Sequence, residues 1–123
     1  MQIIRYQPES HSPSVTTRMR RALLIASNSQ GRQQHGALLM QGARTLAVGI
    51  NSPRNSGSCP GAWPNRTSVH AEVAATKLHA AIPNTTLYVA RLAKNGSFAS
   101  SEVCPRCVEW LTWHTNIKVV IHS

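Results

Sequence analysis

Two short motifs, separated by about thirty residues, constrain this chain more than any other feature of its sequence. The first is His70-Ala71-Glu72 and the second is Cys104-Pro105-Arg106-Cys107. Together they supply one imidazole, two thiolates and a carboxylate. A catalytic zinc site uses three protein ligands and an acid–base group that is not a ligand, and these side chains meet that requirement. The fold therefore has to bring the two motifs together.

The length of the chain, 123 residues, is typical of one domain with a real hydrophobic core. We predict a single domain over residues 1–123, with residues 1–14 as an N-terminal arm, because that segment has two prolines and no hydrophobic period. No apolar run reaches membrane-spanning length, and the N-terminus lacks the apolar core of a signal peptide. We therefore expect a cytoplasmic protein that does not bind membranes.

The charge of the chain is strongly positive. Thirteen Lys and Arg residues are balanced by only four Glu residues, which gives a net charge of +9. This charge favours phosphate-bearing partners, either nucleotides or nucleic acid. The cations are scattered except at Arg18-Met19-Arg20-Arg21, so a solvated basic surface also explains them. Because acids are scarce, the isolated Glu72 in an Ala-rich stretch carries more information than an ordinary carboxylate.

Hydrophobic periodicity predicts three helices and about four strands. An amphipathic helix is expected from Ser14 to about Ser29, capped by Ser14 or Thr16. Two apolar segments flanking Gln41-Gly42-Ala43 predict a β-hairpin. The remaining elements are a helix over 70–81, a strand over 85–90, a helix over 104–114 and a strand over 117–121. This order predicts an α/β sandwich around a mixed sheet.

Finer expectations concern single residues of these elements. In the second helix, Ala71, Ala74, Ala75 and Leu78 form a face suited to close packing on the sheet. In the third helix, Trp110 and Trp113 are expected in the core. The long segment 52–69 contains Cys59 and either contacts the substrate or is a flexible insertion.

The predicted elements place the two motifs at two helix starts. His70 begins the second helix, and the i,i+3 spacing puts Cys104 and Cys107 on one side of the first turn of the third. Helix N-termini favour thiolates over thiols, which prepares the sulfurs for metal binding. Three ligands leave a fourth position for water, whose pKa zinc lowers to about 7. Glu72 would lie beside that water as a proton shuttle.

Each motif by itself has a simpler explanation. Cys104, Cys107, Val108 and Leu111 also form an apolar stripe at helical spacing. A Cys-x-x-Cys pair is equally typical of one half of a structural zinc site and of a redox pair. A lone His at a helix start is commonly a capping or core residue. The combination of both motifs at helix starts, with a strand between them, favours the catalytic zinc site.

The two motifs resemble the zinc signature of the cytidine and deoxycytidylate deaminase superfamily. The resemblance extends from the first helix to Ser123, because the hairpin and the two later strands follow the order of that fold. It implies a three-layer α/β/α sandwich. It also implies that His70, Cys104 and Cys107 bind Zn2+ and that Glu72 is the general acid and base.

The resemblance further implies a reaction and a substrate site. The reaction is hydrolytic deamination of a cytosine-type nucleoside or nucleotide to the uracil form, with release of ammonia and without an organic cofactor. Asn51, at the end of the second strand, matches a family position that contacts the sugar or base of the substrate, although a turn residue is the alternative. Ala71, between the zinc ligand and the acid, is also expected to contact the substrate.

Three features of the sequence depart from the family pattern. Val103 stands where the family usually has proline, and Cys59 is the only cysteine available for a second, structural zinc, so we expect that zinc to be absent. The chain stops soon after Ile121, which predicts an exposed sheet edge. Because partner subunits often complete the pocket in this family, we expect a homo-oligomer.

Two alternatives to a free nucleoside or nucleotide substrate stay open. One is deamination of cytosine or adenine within single-stranded DNA or RNA, with Trp63, Trp110 and Trp113 as stacking contacts. The other is a scaffold that binds zinc and has lost turnover, against which the presence of Glu72 argues.

Overall fold

The computed structural model describes residues 1–29, 34–51, 71–100 and 105–123 of the protein. Within these ranges the chain forms one mixed sheet and three helices. The helices are α1 (Pro13–Ala26), α2 (Ala71–Thr76) and α3 (Pro105–His114). The strands are β1 (Gln2–Arg5), β2 (Gln34–Gln41), β3 (Arg44–Ile50), β4 (Thr85–Leu92), β5 (Phe98–Ala99) and β6 (Ile117–His122).

The sheet lies between two helical layers. Its strand order is β1-β6-β4-β2-β3, and the short β5 pairs with β4. β2 is antiparallel to both β3 and β4, whereas β6 is parallel to both β1 and β4. Ala37 to Met40 of β2 are all buried, as expected for a strand covered on both faces. The predicted three-layer α/β/α sandwich is therefore confirmed, as is the hairpin formed by β2 and β3.

The sheet has six strands instead of about four. The additional strands are β1 and β5, which have four and two residues and show no alternation of apolar and polar side chains. Such short segments become strands because a neighbouring strand supplies hydrogen-bond partners, which a sequence pattern does not reveal.

Residues expected to form an N-terminal arm contribute to the sheet and to the core. β1 pairs with β6 from Gln2 opposite Val119 to Arg5 opposite His122. Tyr6, directly after β1, is buried, and its hydroxyl donates a hydrogen bond to Thr16 of α1 at 2.8 Å. The expected exposed edge beside β6 is therefore wrong, because β1 covers it.

Helix α1 begins earlier than predicted and covers one face of the sheet. Its cap is Ser12, not Ser14 or Thr16, and the Ser12 hydroxyl accepts a hydrogen bond from Val15 N–H at 3.4 Å. Pro13 takes the first helical position, where its missing N–H costs nothing. A Cβ built on Gly36 of β2 would overlap the carbonyl oxygen of Ala22, so glycine is what allows α1 to pack directly on the sheet.

Helices α2 and α3 cover the other face. Their buried residues pack with strand residues in one cluster, which comprises Ala37, Leu39, Ala71, Ala75, Leu87, Val89, Leu111, Ile117 and Val120. α2 ends at Thr76, five residues before its predicted end, and i→i+3 turn bonds from His79 and Ile82 follow it. Leu78 consequently leaves the sheet and is 84% exposed, so its predicted packing is wrong.

The third helix places its two tryptophans differently. Trp110 is half-buried against the core cluster, but Trp113 is 78% exposed, which contradicts its expected core position. Trp113 is two residues beyond the fully buried Leu111, which corresponds to about 200° around the helix, so its ring points away from the packed face. Among the described helices, none has the length and apolar character needed to cross a membrane.

Candidate active site

The start of α2 lies directly on the end of β3. A Cβ built on Gly49 would stand 2.6 Å from the carbonyl oxygen of Ala71 and 2.5 Å from the backbone nitrogen of Ala75. These separations are shorter than any side chain allows, so the absence of a side chain at Gly49 sets the height of α2 above the sheet. Ala71 is fully buried in this contact, and Glu72 follows it in the first turn of α2.

Glu72 is a buried carboxylate, with only 5% of its surface exposed. Its backbone carbonyl accepts a hydrogen bond from the Thr76 hydroxyl at 2.8 Å. Within the ranges the structure describes, no donor hydrogen-bonds the Glu72 side chain and no cation pairs with it. A carboxylate with so little exposure and no structural partner in these ranges is available for chemistry.

Cys107 lies in the first turn of α3 and is fully buried. Leu111, one turn further along the same side of the helix, belongs to the core cluster that contains Ala71 and Ala75. The Cys107 sulfur therefore faces the interior between α3, α2 and the sheet.

The two helices run in the same direction. After α3 ends, Asn116 donates its backbone N–H to the Ala80 carbonyl at 2.9 Å and its side-chain amide to the Ala81 carbonyl at 2.8 Å. Ala80 and Ala81 follow the end of α2. Because the trailing ends of the two helices are joined and the helices contact each other, their first turns lie on the same side of the molecule. Glu72 and Cys107 thus lie in helix turns at the same end of this helical layer.

The predicted zinc ligands lie only partly within the described residues. His70 and Cys104 are outside them, as is the segment 52–69 with Cys59, although Ala71 and Pro105 directly follow the two ligands in sequence. In the described ranges no three His, Cys, Asp or Glu residues are placed to hold a metal ion. Among the described residues Cys107 fits zinc in its chemistry, because it supplies a buried sulfur in the first turn of α3.

Asn51 directly follows β3 and is tied to two other segments. Its backbone N–H donates to the His35 carbonyl at 3.4 Å, and its side-chain Oδ1 accepts the His35 N–H at 2.9 Å. The Ser29 hydroxyl bonds to both the Asn51 Oδ1 and, at 2.9 Å, the Asn51 carbonyl. The amide oxygen is therefore directed toward β2, which fixes the orientation of the side chain beside the start of α2.

The sequence does not indicate that Ser29 is a site residue, because it predicts Ser29 at the end of an amphipathic helix. It is buried, and it contacts Asn51 across 22 positions of sequence. A serine after a helix is common in any sequence, so no local signal distinguishes it.

No family model matches the chain, and no curated protein matches it by sequence. Solved structures do match its fold. An apo dCMP deaminase from the cyanophage S-TIM5 has a TM-score of 0.60 at 22% identity, over 96% of this chain and 87% of that one. Guanine deaminase from Bacillus subtilis has a TM-score of 0.57 at 22% identity, over 88% of this chain and 62% of that one. Cytidine deaminase from Mycobacterium tuberculosis has a TM-score of 0.52 at 22% identity, over 84% of this chain and 79% of that one.

These likenesses define the class of fold. The protein has the cytidine deaminase-like fold, and the resemblance expected from the two motifs is confirmed at the level of the fold.

Proposed function

We propose that the protein is a zinc-dependent hydrolase that deaminates a cytosine-type nucleoside or nucleotide to the uracil form and releases ammonia. The observation that supports this most strongly is the buried Glu72 carboxylate, which has no donor among the described residues and lies in the first turn of α2, as the buried Cys107 lies in the first turn of α3. The fold supports it as well, because deaminases of dCMP, cytidine and guanine share it.

Zinc would be held by His70, Cys104 and Cys107. When bound, the metal supplies Lewis-acid activation of the attacking water. Cys107 is fully buried in the first turn of α3, which supports its assignment as a ligand.

Glu72 moves the protons of the reaction. It takes a proton from the attacking water, passes it to the ring nitrogen next to the amine-bearing carbon, and assists the departure of ammonia. Its burial suits this role, because a carboxylate that is shielded from bulk water exchanges protons mainly with the bound substrate.

Asn51 and Ala71 bind the substrate in this proposal. Asn51 contacts the sugar or base with an amide whose orientation is set by Ser29 and His35. Ala71 is fully buried in the core cluster, which fixes the first turn of α2 next to the acid. Asn51 is held by hydrogen bonds and Ala71 by core packing, which favours precise positioning.

The test is an activity assay with quantified zinc. The purified protein is incubated with cytosine, cytidine, deoxycytidine and their monophosphates, and uracil products are measured by chromatography. Glu72→Gln keeps the shape of the side chain but cannot shuttle protons, so we expect turnover to fall by about 10²- to 10⁴-fold. Glu109→Gln is the matched control, because Glu109 is an exposed acid on α3 and its loss leaves turnover unchanged.

A second candidate function is favoured by the exposure of Trp113. An indole ring that is 78% exposed on a protein of net charge +9 is suited to stack on an unpaired base. Single-stranded DNA and RNA are therefore included in the assay, with Trp113→Ala as the diagnostic variant. Turnover of these polymers alone would replace the free-nucleotide proposal, and bound zinc without any turnover would favour a catalytically silent scaffold.

We also propose that the single-domain chain forms a homo-oligomer. Leu24, Leu78 and Trp113 are large apolar side chains that are mostly exposed in the monomer, and such side chains can pack against another subunit. Light scattering after size-exclusion chromatography measures the mass directly, and a monomer at every concentration would exclude the oligomer. A cytoplasmic location stays a prediction of the sequence.

A further inference from the structure

Three arginines give α1 a concentrated positive charge. Arg18, Arg20 and Arg21 (the α1 arginines) lie within four consecutive residues, and α1 contains no acidic residue. Met19 and Ala22 are fully buried against the sheet, whereas Arg20 and Arg21 are exposed and Arg18 is half-buried. The charge is therefore presented outward from the helical layer that lies opposite α2 and α3.

Arg18 is held in position by a residue of the sheet. Its Nη1 donates to the Tyr88 hydroxyl at 3.0 Å, and its guanidinium carbon lies 5.8 Å from the centre of the Tyr88 ring. A guanidinium has more donors than this one bond uses. The Nε and Nη2 nitrogens have no partner in the described part of the chain, and neither is enclosed by protein atoms. The group is thus oriented by the protein and still accessible to a ligand.

The acids of the described residues do not compensate the charge of α1. Arg18 and Arg21 are three residues apart, which places their Cβ atoms about 5–6 Å from each other on one side of the helix. Glu72 and Glu109 lie on α2 and α3, across the sheet, and Glu9 forms no ion pair in the ranges that are described. Two neighbouring cations without a carboxylate repel each other, and an anion between them removes that repulsion.

The neighbours of the α1 arginines favour a nucleic acid over a membrane as the source of that anion. Ser14, Thr17 and Leu24 are exposed and share the outer side of the helix with Arg21. A helix that lies on a membrane needs a broad exposed apolar face, whereas the apolar face of α1 already packs on the sheet. Arginines beside serine and threonine hydroxyls are typical contacts to the phosphate backbone of nucleic acids.

We propose that the α1 arginines form a docking surface for the phosphate backbone of a single-stranded nucleic acid, on the side of the sheet opposite the candidate active site. Phosphate contacts carry no direct sequence information, so binding at this surface is independent of base sequence. The docking surface is a second property of the chain and does not depend on the proposed deamination.

Binding is measured by fluorescence anisotropy with a labelled oligothymidylate. This polymer contains neither cytosine nor adenine, so deamination does not disturb the titration. The measurement is repeated over a range of salt concentrations, because each phosphate neutralised on a single strand contributes about 0.7 to the slope of log affinity against log salt. We expect each of Arg18→Gln, Arg20→Gln and Arg21→Gln to reduce that slope by about 0.7, and the triple variant to reduce it by about 2.

Affinity and slope together separate contact from orientation. At about 50 mM salt the triple variant should bind about 10- to 100-fold more weakly than the parent. Tyr88→Phe removes the hydroxyl that orients Arg18 but keeps the charge of the protein, so affinity should fall about two- to tenfold with the slope unchanged.

Lys77→Gln is the matched control. Lys77 is an exposed cation that follows α2, on the other side of the sheet, and its loss changes the net charge by the same amount as one arginine. It should leave affinity and slope nearly unchanged. Glutamine is a good helix former, so the exposed Arg20 and Arg21 variants keep α1 and decide the question even if Arg18→Gln fails to fold.

Several results would overturn the inference. They are an equal loss of slope in Lys77→Gln and in the arginine variants, binding that Trp113→Ala abolishes and the triple variant leaves intact, or loss of binding to anionic vesicles alone, which would assign the surface to a membrane. Deamination of free nucleotides is assayed in parallel and should be unchanged in the arginine variants. Its absence in the parent protein would reject the proposed function and leave the docking surface standing.

Discussion

Gly49 of β3 supports Ala71 at the start of α2 at a distance that excludes any side chain between them: a Cβ at position 49 would be 2.6 Å from the Ala71 carbonyl oxygen. Because Glu72 is the next residue, the height of the helix on the strand also sets the position of the proposed acid–base group. Gly36 has the same relation to α1 on the opposite face, where a Cβ would overlap the backbone of Ala22. The two glycines therefore provide a matched comparison between the face with the candidate active site and the face without it.

Gly49→Ala should lower both stability and activity. The new methyl group forces α2 away from β3, and such overpacking typically costs about 1–3 kcal/mol of unfolding free energy. Since Glu72 moves with α2, kcat should fall further than the loss of folded protein explains. Urea unfolding and steady-state assays measure the two effects. Gly36→Ala should be similarly destabilised but retain kcat per folded molecule, and equal losses of kcat in both variants would contradict the argument.

Ser29→Ala should weaken substrate binding more than it slows the chemical step. The Asn51 side chain loses the hydroxyl that helps to orient its oxygen, and a hydrogen bond of this kind contributes about 0.5–1.5 kcal/mol. We expect KM to rise up to about tenfold with little change in kcat. Ser27→Ala is the control, because the Ser27 hydroxyl only bonds the carbonyl of Leu24 within α1. A fall in kcat with unchanged KM would argue against a positioning role for Ser29.

Cys107→Ser should remove most of the bound zinc. The proposed site has three protein ligands, and serine replaces a thiolate with a much poorer zinc ligand. Elemental analysis of protein purified with zinc should give about one ion per chain for the parent and far less for the variant. Cys59→Ser should keep the full zinc content, because Cys59 is expected to be an ordinary thiol. Zinc that stays bound after Cys104→Ala and Cys107→Ala together would reject the ligand assignment.

Leu111→Ala should destabilise the protein strongly. Leu111 is fully buried in the core cluster between α3 and the sheet, and truncation of such a side chain typically costs about 2–5 kcal/mol. Leu24→Ala is the control, because Leu24 is exposed on α1 and its truncation should change stability by no more than about 0.5 kcal/mol. Urea denaturation compares the two. Similar midpoints would mean that the core is not packed as described.

Local patterns predicted the main elements well because those elements follow from local physics. Two apolar segments and a turn between them are enough for the hairpin of β2 and β3, and periodicity is enough for α1 and α3. The ends of helices were less predictable. Ser12 caps α1 because Pro13 takes the first helical position, and α2 stops at Thr76 where i→i+3 turn bonds replace the helix.

The proposed reactive groups are a prediction from the sequence alone. His70, Glu72, Cys104 and Cys107 are recognisable because metal and proton chemistry require those side chains at that spacing. Tertiary structure decided what surrounds them. Some of these relations join residues from distant parts of the chain: β1 pairs with β6, Ser29 contacts Asn51, and Arg5 and Arg91 both bond to Ser100. The exposure of Trp113 depends on which face of α3 packs on the sheet. Such relations have no local sequence signal, because they arise only when the sheet and its two helical layers assemble.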